Sequence, residues 1–112
     1  MNYRQLEIRW IDLEPTRGAE IQKTRPCVII QADIVNQNSQ TVIVAPLLPG
    51  HKNWLFAVNV FPTTNNGLDK ERHINLKQLR AVDISRIKNL QGILEQEYLK
   101  PIQEAIKIIF AI

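Results

Sequence analysis

Three cations and a glycine crowd into PTRGAEIQKTRP, residues 15 to 26: Arg17, Lys23 and Arg25 around Gly18. An arginine followed by proline sits on a stiff backbone, and its planar guanidinium can hold two phosphate oxygens at once. That geometry suits RNA chemistry. When a ribose 2′-hydroxyl attacks the adjacent phosphate, negative charge builds on the non-bridging oxygens, and a fixed cation placed there lowers the barrier. Such a step also needs a proton acceptor and a proton donor. Glu7, at the start of the first expected strand, and Glu20, in the loop, are the acidic candidates nearest to Arg25. A salt bridge to Arg17, Lys23 or Arg25 is the plain alternative for Glu20.

Other chemistries find no residues to support them. His51 and His73 have no cysteine or paired carboxylates at ligand spacing, so no metal site is expected. G-x-S-x-G, Walker and G-x-G-x-x-G patterns are absent from the sequence, and no cofactor is expected. The lone cysteine, Cys27 in PCVII, reads as a small buried hydrophobe and fits a reducing compartment. No apolar run approaches the roughly 20 residues of a membrane span, and MNYRQLEIRW lacks the core of a secretory signal. A cytoplasmic protein with no membrane partner is the expectation.

The 112 residues fit one domain spanning 1–112, and 45% hydrophobic with 22% charged residues is ordinary globular usage. The net charge of +3 gains meaning from its distribution. Arg17, Lys23 and Arg25 share the loop, while Lys70, Arg72, Lys77, Arg80, Arg86 and Lys88 concentrate between 70 and 88. Clustered cations favour an anionic partner through counterion release; plain surface solvation explains them equally well.

These groups need a scaffold. EIRWIDLE, residues 7 to 14, alternates as a first strand, and CVIIQADI after Pro26 is a β-branched run that fits a strand buried on both faces. VNQNSQ, residues 35 to 40, is a polar turn before a third strand, TVIVAPL, in which Pro46 predicts a strand end or bulge. LPGHKN forms a loop, WLFAVNVF a fourth strand, and Asn-Asn-Gly at 65 to 67 a turn. RHINLKQLRAVD, residues 72 to 83, supplies one or two further short strands. Trp10 and Trp54 both fall in expected strands and read as core or dimer-surface residues. Tyr98, Ile102, Ile106, Ile109 and Phe110 recur at helical spacing, and Pro101 places the helix start near Leu99 or kinks it. Five or six short strands and one C-terminal helix predict a mainly β fold, a small, SH3-like, partly open β-barrel.

LEIRWIDLEPTRGAEIQKTRPCVIIQ, then VIVAPL, then GLDKERHINLKQLRAVDISRI resemble, in this order, the MazF/PemK/Kid family of toxins from bacterial toxin–antitoxin pairs. The resemblance implies an SH3-like barrel with a C-terminal helix, a homodimer, and a metal-independent endoribonuclease that cuts single-stranded RNA within short motifs. It implies 2′-hydroxyl attack leaving a cyclic phosphate, and a MazE-like antitoxin whose acidic, disordered tail occupies the RNA groove. The phosphate-stabilising arginine of the family matches Arg25, and a carboxylate implicated in some members matches Glu7. Arg17, Glu20, Lys23, Lys77, Gln78 and Arg80 would then border the RNA channel. The family's catalytic Thr or Ser falls on Leu48, which has no hydroxyl. An arginine and an aspartate used by some members fall on Asn75 and Lys77, and a loop histidine on Ala19. Three readings follow: an active ribonuclease using Arg25, Glu7 and Lys77; a degenerate toxin that binds RNA or antitoxin without efficient cleavage; and, last, a gyrase-directed toxin resembling CcdB, whose C-terminal Trp this chain, ending in FAI, lacks.

Overall fold

The computed structural model describes residues 2–112. Seven antiparallel strands form one sheet: β1 (Glu7–Asp12), β2 (Thr24–Ile29), β3 (Thr41–Pro49), β4 (Ala57–Val60), β5 (Arg72–Asn75), β6 (Arg80–Asp83) and β7 (Ile87–Ile93). The order is β4-β5-β3-β2-β1-β7, with β6 alongside β3. The sheet curls without closing, a partly open barrel as expected, with β4 and β7 at its ends. A one-turn helix α1 (Asp33–Asn36) precedes β3, and α2 (Leu99–Phe110) ends the fold.

Alternation along β2 and β3 splits the interior into two cores. Val28, Ala45 and Leu47 join Ile8, Ile74, Leu94 and, from α2, Ile102 and Ala105. Cys27, Ile29, Val42 and Val44 point the other way, toward Ile11, Leu13 and Val82. β2 is thus buried on both faces, as its β-branched run requires. Burying each such aliphatic side chain is worth about 1.5–3 kcal/mol, so the two central strands hold both cores together.

Several boundaries differ from the sequence reading, each for a local reason. The first strand stops at Asp12, whose carboxylate accepts from the Glu14 amide and turns the chain. The second stops at Ile29, because buried Gln31 and Asn36 bond each other and the Ala32 carbonyl accepts from Val35 and Asn36 to form α1. Ile34 and Val35, apolar by type, stand in solvent. Pro46 does not end β3. On the side away from β2, β3 pairs β6 through residues 41–44 and β5 through 47–49, and Pro46 falls between these neighbours, where no ladder bond is missed. The fourth strand covers only Ala57–Val60, which leaves Trp54 in the preceding turn. β7 goes beyond the expected five or six strands; its exposed Leu90 and Ile93 hide the alternation of a strand.

α2 begins at Leu99, with Pro101 in its first turn, where no helical bond needs its missing amide. Ile102 and Ala105 are buried and Ile106 and Ile109 pack on the same core, whereas Phe110 is exposed instead of joining them.

Candidate active site

The chain between β1 and β2 is closed by a single carboxylate. Glu14 accepts from the Thr16 amide (3.2 Å) and hydroxyl (3.1 Å) through one oxygen and from the Lys23 amide (2.7 Å) through the other. The Lys23 amide foremost, then the Thr16 groups, outweigh partial desolvation and hold the Glu14 carboxyl below its usual range. Lys23 adopts φ +74°, an uncommon conformation for a residue with Cβ, and its carbonyl accepts from the Leu13 amide. Within the loop, Glu20 accepts from the Arg17 amide. The loop docks on the turn after β5, where Gln78 Oε1 accepts from the Ile21 amide at 3.4 Å.

Two arginines hold the β1 end of this loop. Arg80 donates to the Leu13 carbonyl at 3.1 Å, and Arg86 donates to the carbonyls of Asp12 and Glu14. Arg25 emerges half-buried from β2, its Nε bonded to the Gln22 carbonyl at 3.1 Å, which leaves the outer edge of the guanidinium for another partner. Beneath lies Cys27. Burial pushes its thiol up to about 12, against the opposing pull of Arg80 and Arg25, so it stays protonated and is no nucleophile.

The β2–β3 ladder runs from Ile29–Val44 to Cys27–Pro46; beyond it β3 pairs with β5, where Leu48 faces His73, while Arg25 pairs with Ile11 of β1. Leu48 is half-buried and His73 is buried, its Nδ1–H donating to the Gly50 carbonyl at 2.9 Å.

Arg17, Glu20 and Lys23 therefore lie in the loop, Arg25 just past it in β2, Gln78 in the turn it rests on, and Arg80 at the start of β6. Two residues singled out from the sequence lie elsewhere. Glu7 is half-buried in an ion pair with Arg9 (2.8 Å), four residues along β1 from Ile11, the partner of Arg25, or roughly 13 Å. Lys77 reaches the other way, its ammonium 5.4 Å from the centre of the Phe56 ring. The sequence reading passed over Glu14 and named Arg86 only among the clustered cations. The Asp12-x-Glu14-Pro15 spacing is a turn signal that marks the first of them; nothing local marks Arg86, which acts on carbonyls far away in the chain.

Residues 4–110 match the family model described as a PemK-like, MazF-like toxin of type II toxin–antitoxin systems. The chain belongs to the MazF/PemK toxin family. Among its relatives, the endoribonuclease MazF of Staphylococcus saprophyticus is 34% identical over 106 residues, covering 94% of this chain and 88% of the relative. The fold matches the crystal structure of MazF from Deinococcus radiodurans with a TM-score of 0.82 at 16% identity, over 98% of this chain and 97% of that one. It also matches an endoribonuclease in complex with its cognate antitoxin from Mycobacterial species, with a TM-score of 0.79 at 12% identity, over 98% and 96% of the two chains. These likenesses make the chain a member of a toxin endoribonuclease family with a MazF fold. Among the described residues no group of three or more His, Cys, Asp or Glu could hold a metal ion, and no helix is long and apolar enough to cross a membrane.

Proposed function

We propose that this MazF/PemK toxin is a sequence-selective endoribonuclease that cuts single-stranded RNA without a metal ion and is silenced by a MazE-like antitoxin. The observation that carries the reading is the Arg25 guanidinium, anchored through Nε at the foot of a preformed basic loop. In the step, the 2′-oxygen bonds to phosphorus as the bond from phosphorus to the 5′-oxygen breaks, leaving a cyclic phosphate and a 5′-hydroxyl. Arg25 neutralises charge on the non-bridging oxygens, with Arg17 and Lys23 on the flanking phosphates. The 2′-hydroxyl proton passes to a carboxylate. Glu20, in the loop that leads into β2, suits that role better than Glu7, which lies at the far end of β1 from Ile11, the partner of Arg25. The leaving oxygen takes its proton from water or from Arg25.

The same basic loop suits an acidic, disordered antitoxin tail, since its cations bind carboxylates as readily as phosphates. A homodimer would cover the apolar side chains left in solvent on β7 and α2, Leu90, Ile93, Ile108 and Phe110.

Leu48 favours one second reading, a toxin that binds RNA but cuts slowly, because the position that the resemblance assigns to the catalytic Thr or Ser carries no hydroxyl. The test is incubation of the purified protein with a long single-stranded RNA in excess EDTA, with primer extension and end-group analysis, alongside the Leu48→Thr variant. Discrete cuts ending in cyclic phosphates are expected of the unaltered chain. Intact RNA, cut only by Leu48→Thr, would establish the degenerate reading; intact RNA with both would remove the ribonuclease proposal.

A further inference from the structure

Where β4 meets β5 lies an aromatic stack for which the cleavage step has no use. The Trp54 and Phe56 rings are stacked, 5.2 Å between centroids and 25° between planes. His73 meets Trp54 edge-on at 5.6 Å and 88°. Two ammonium groups complete the arrangement, Lys52 at 5.2 Å from the Trp54 centroid and Lys77 at 5.4 Å from that of Phe56.

The turn that carries these rings is held rigidly. The Asn59 side chain brackets Lys52, accepting from its amide and donating to its carbonyl, both at 2.9 Å. His73 ties to the Gly50 carbonyl, and His51 lies within hydrogen-bonding distance of Glu71 and Asn53. Despite this order Trp54 remains 43% exposed. A core tryptophan would bury its ring. One held in place yet open, with a mobile cation on its face, is built to receive a flat, electron-rich partner.

We propose that Trp54 is a nucleobase platform: a base of the single-stranded RNA that Arg25 holds by a phosphate stacks on the Trp54 ring and displaces the Lys52 ammonium to a neighbouring phosphate. This rests on the ribonuclease reading and adds the subsite that grips the strand. Three observations favour a nucleotide over an apolar peptide. Cations flank both rings and match phosphates on either side of a stacked base. His73, which supports Trp54, is the cross-strand neighbour of Leu48 on β3, the strand that also pairs with β2. The flat ring face offers a base a surface independent of its hydrogen-bonding edge, which stays free to be read by the loops.

The test uses an uncleavable probe, a 2′-O-methyl oligoribonucleotide of mixed sequence, with binding followed by titration and by tryptophan fluorescence. Trp54→Ala and Trp54→Leu are expected to bind about 5- to 100-fold more weakly, the range of one lost base stack. Trp54→Tyr, which keeps a flat ring, is expected to restore most of the affinity. Lys52→Ala should keep the fluorescence quench while the salt dependence of binding falls by about one phosphate contact. Unchanged affinity in both Trp54→Ala and Trp54→Leu, with thermal unfolding as in the unaltered chain, overturns the platform and leaves the ribonuclease reading intact. Failure of the unaltered chain to bind the probe overturns both. If the Trp54 variants bind RNA normally but lose affinity for an acidic peptide, the ring serves a protein partner and the proposal is wrong.

Discussion

Two long loops, 13–23 and 61–68, both announce themselves in the sequence by glycine and polar residues, and the protein uses them in opposite ways. In the first, one exposed carboxylate, Glu14, gathers amides and a hydroxyl at the rim, and the cations remain in solvent. In the second, a carboxamide is swallowed whole. Asn66 is fully buried, accepts from the amides of Thr63 and Leu68, and donates to the Phe61 carbonyl and the Glu95 carboxylate. Gly92 of β7 lies against that loop so closely that a Cβ would stand 2.3 Å from Asn66 backbone atoms. The first loop is ordered by groups that leave its surface free; the second is ordered by being packed. The first offers cations to a ligand; the second offers Phe61 and uncharged polar side chains around its buried amide.

That contrast can be broken most sharply at Arg25. Arg25→Ala is expected to lower cleavage by about 10³ with unfolding unchanged, since it removes one transition-state cation from an otherwise intact loop. Glu20→Gln should lower it by about 10², whereas Glu7→Gln, remote from the Arg25 position, should alter stability more than rate; a larger rate loss from Glu7→Gln would return the proton acceptor to β1. The packed loop should respond in the reverse manner. Gly92→Ala forces backbone apart and is expected to cost about 1–3 kcal/mol in a denaturant titration, while surviving folded protein cuts RNA normally.

Acidification gives the mildest probe, because it touches both loops. Glu14 is held below its usual range chiefly by the Lys23 amide. Glu95 is raised by desolvation, but bonds from Thr63, its own amide, Asn66 and Asn65 outweigh it and leave the carboxyl lowered. Each contributes stability that is complete above the ordinary glutamate range and is lost as pH falls through the lowered folded value. Amide exchange at Lys23 should therefore accelerate below that range, and Glu14→Gln should remove the dependence there without removing the one at the Asn66 loop.

How far all this was legible depended on where each interaction closes. β1, β3 and α2 carry their signal within a few residues: an alternating run, a β-branched run, an apolar face with proline in the first turn. The basic loop and Arg25 were likewise readable, since length, charge and Arg-Pro are local. Other features close at long range. Ile34 and Val35 look like strand residues until buried Gln31 and Asn36 pair and turn the chain. Trp54 reads as part of a strand, yet its neighbour His73 is brought by β5. Arg86 finds its carbonyls at the end of β1, a pairing no window of sequence displays. Glu7 and Arg25 lie on adjacent strands, but Arg25 pairs with Ile11, at the other end of β1 from Glu7.

The change of neighbour along β3 bears on how the chain reaches this structure. A single nine-residue strand must align with β2, β5 and β6, pairing Val42 with Val82 and Leu47 with Ile74. Each closure orders a long stretch of chain before its contacts repay the entropy, which places folding in the slow, millisecond-to-second range of small β-barrels. Until β3 is seated on all three, neither core is complete and β2, which carries Arg25, lacks one of its two neighbours, so a freshly made chain acquires its fold and its candidate site in the same late step.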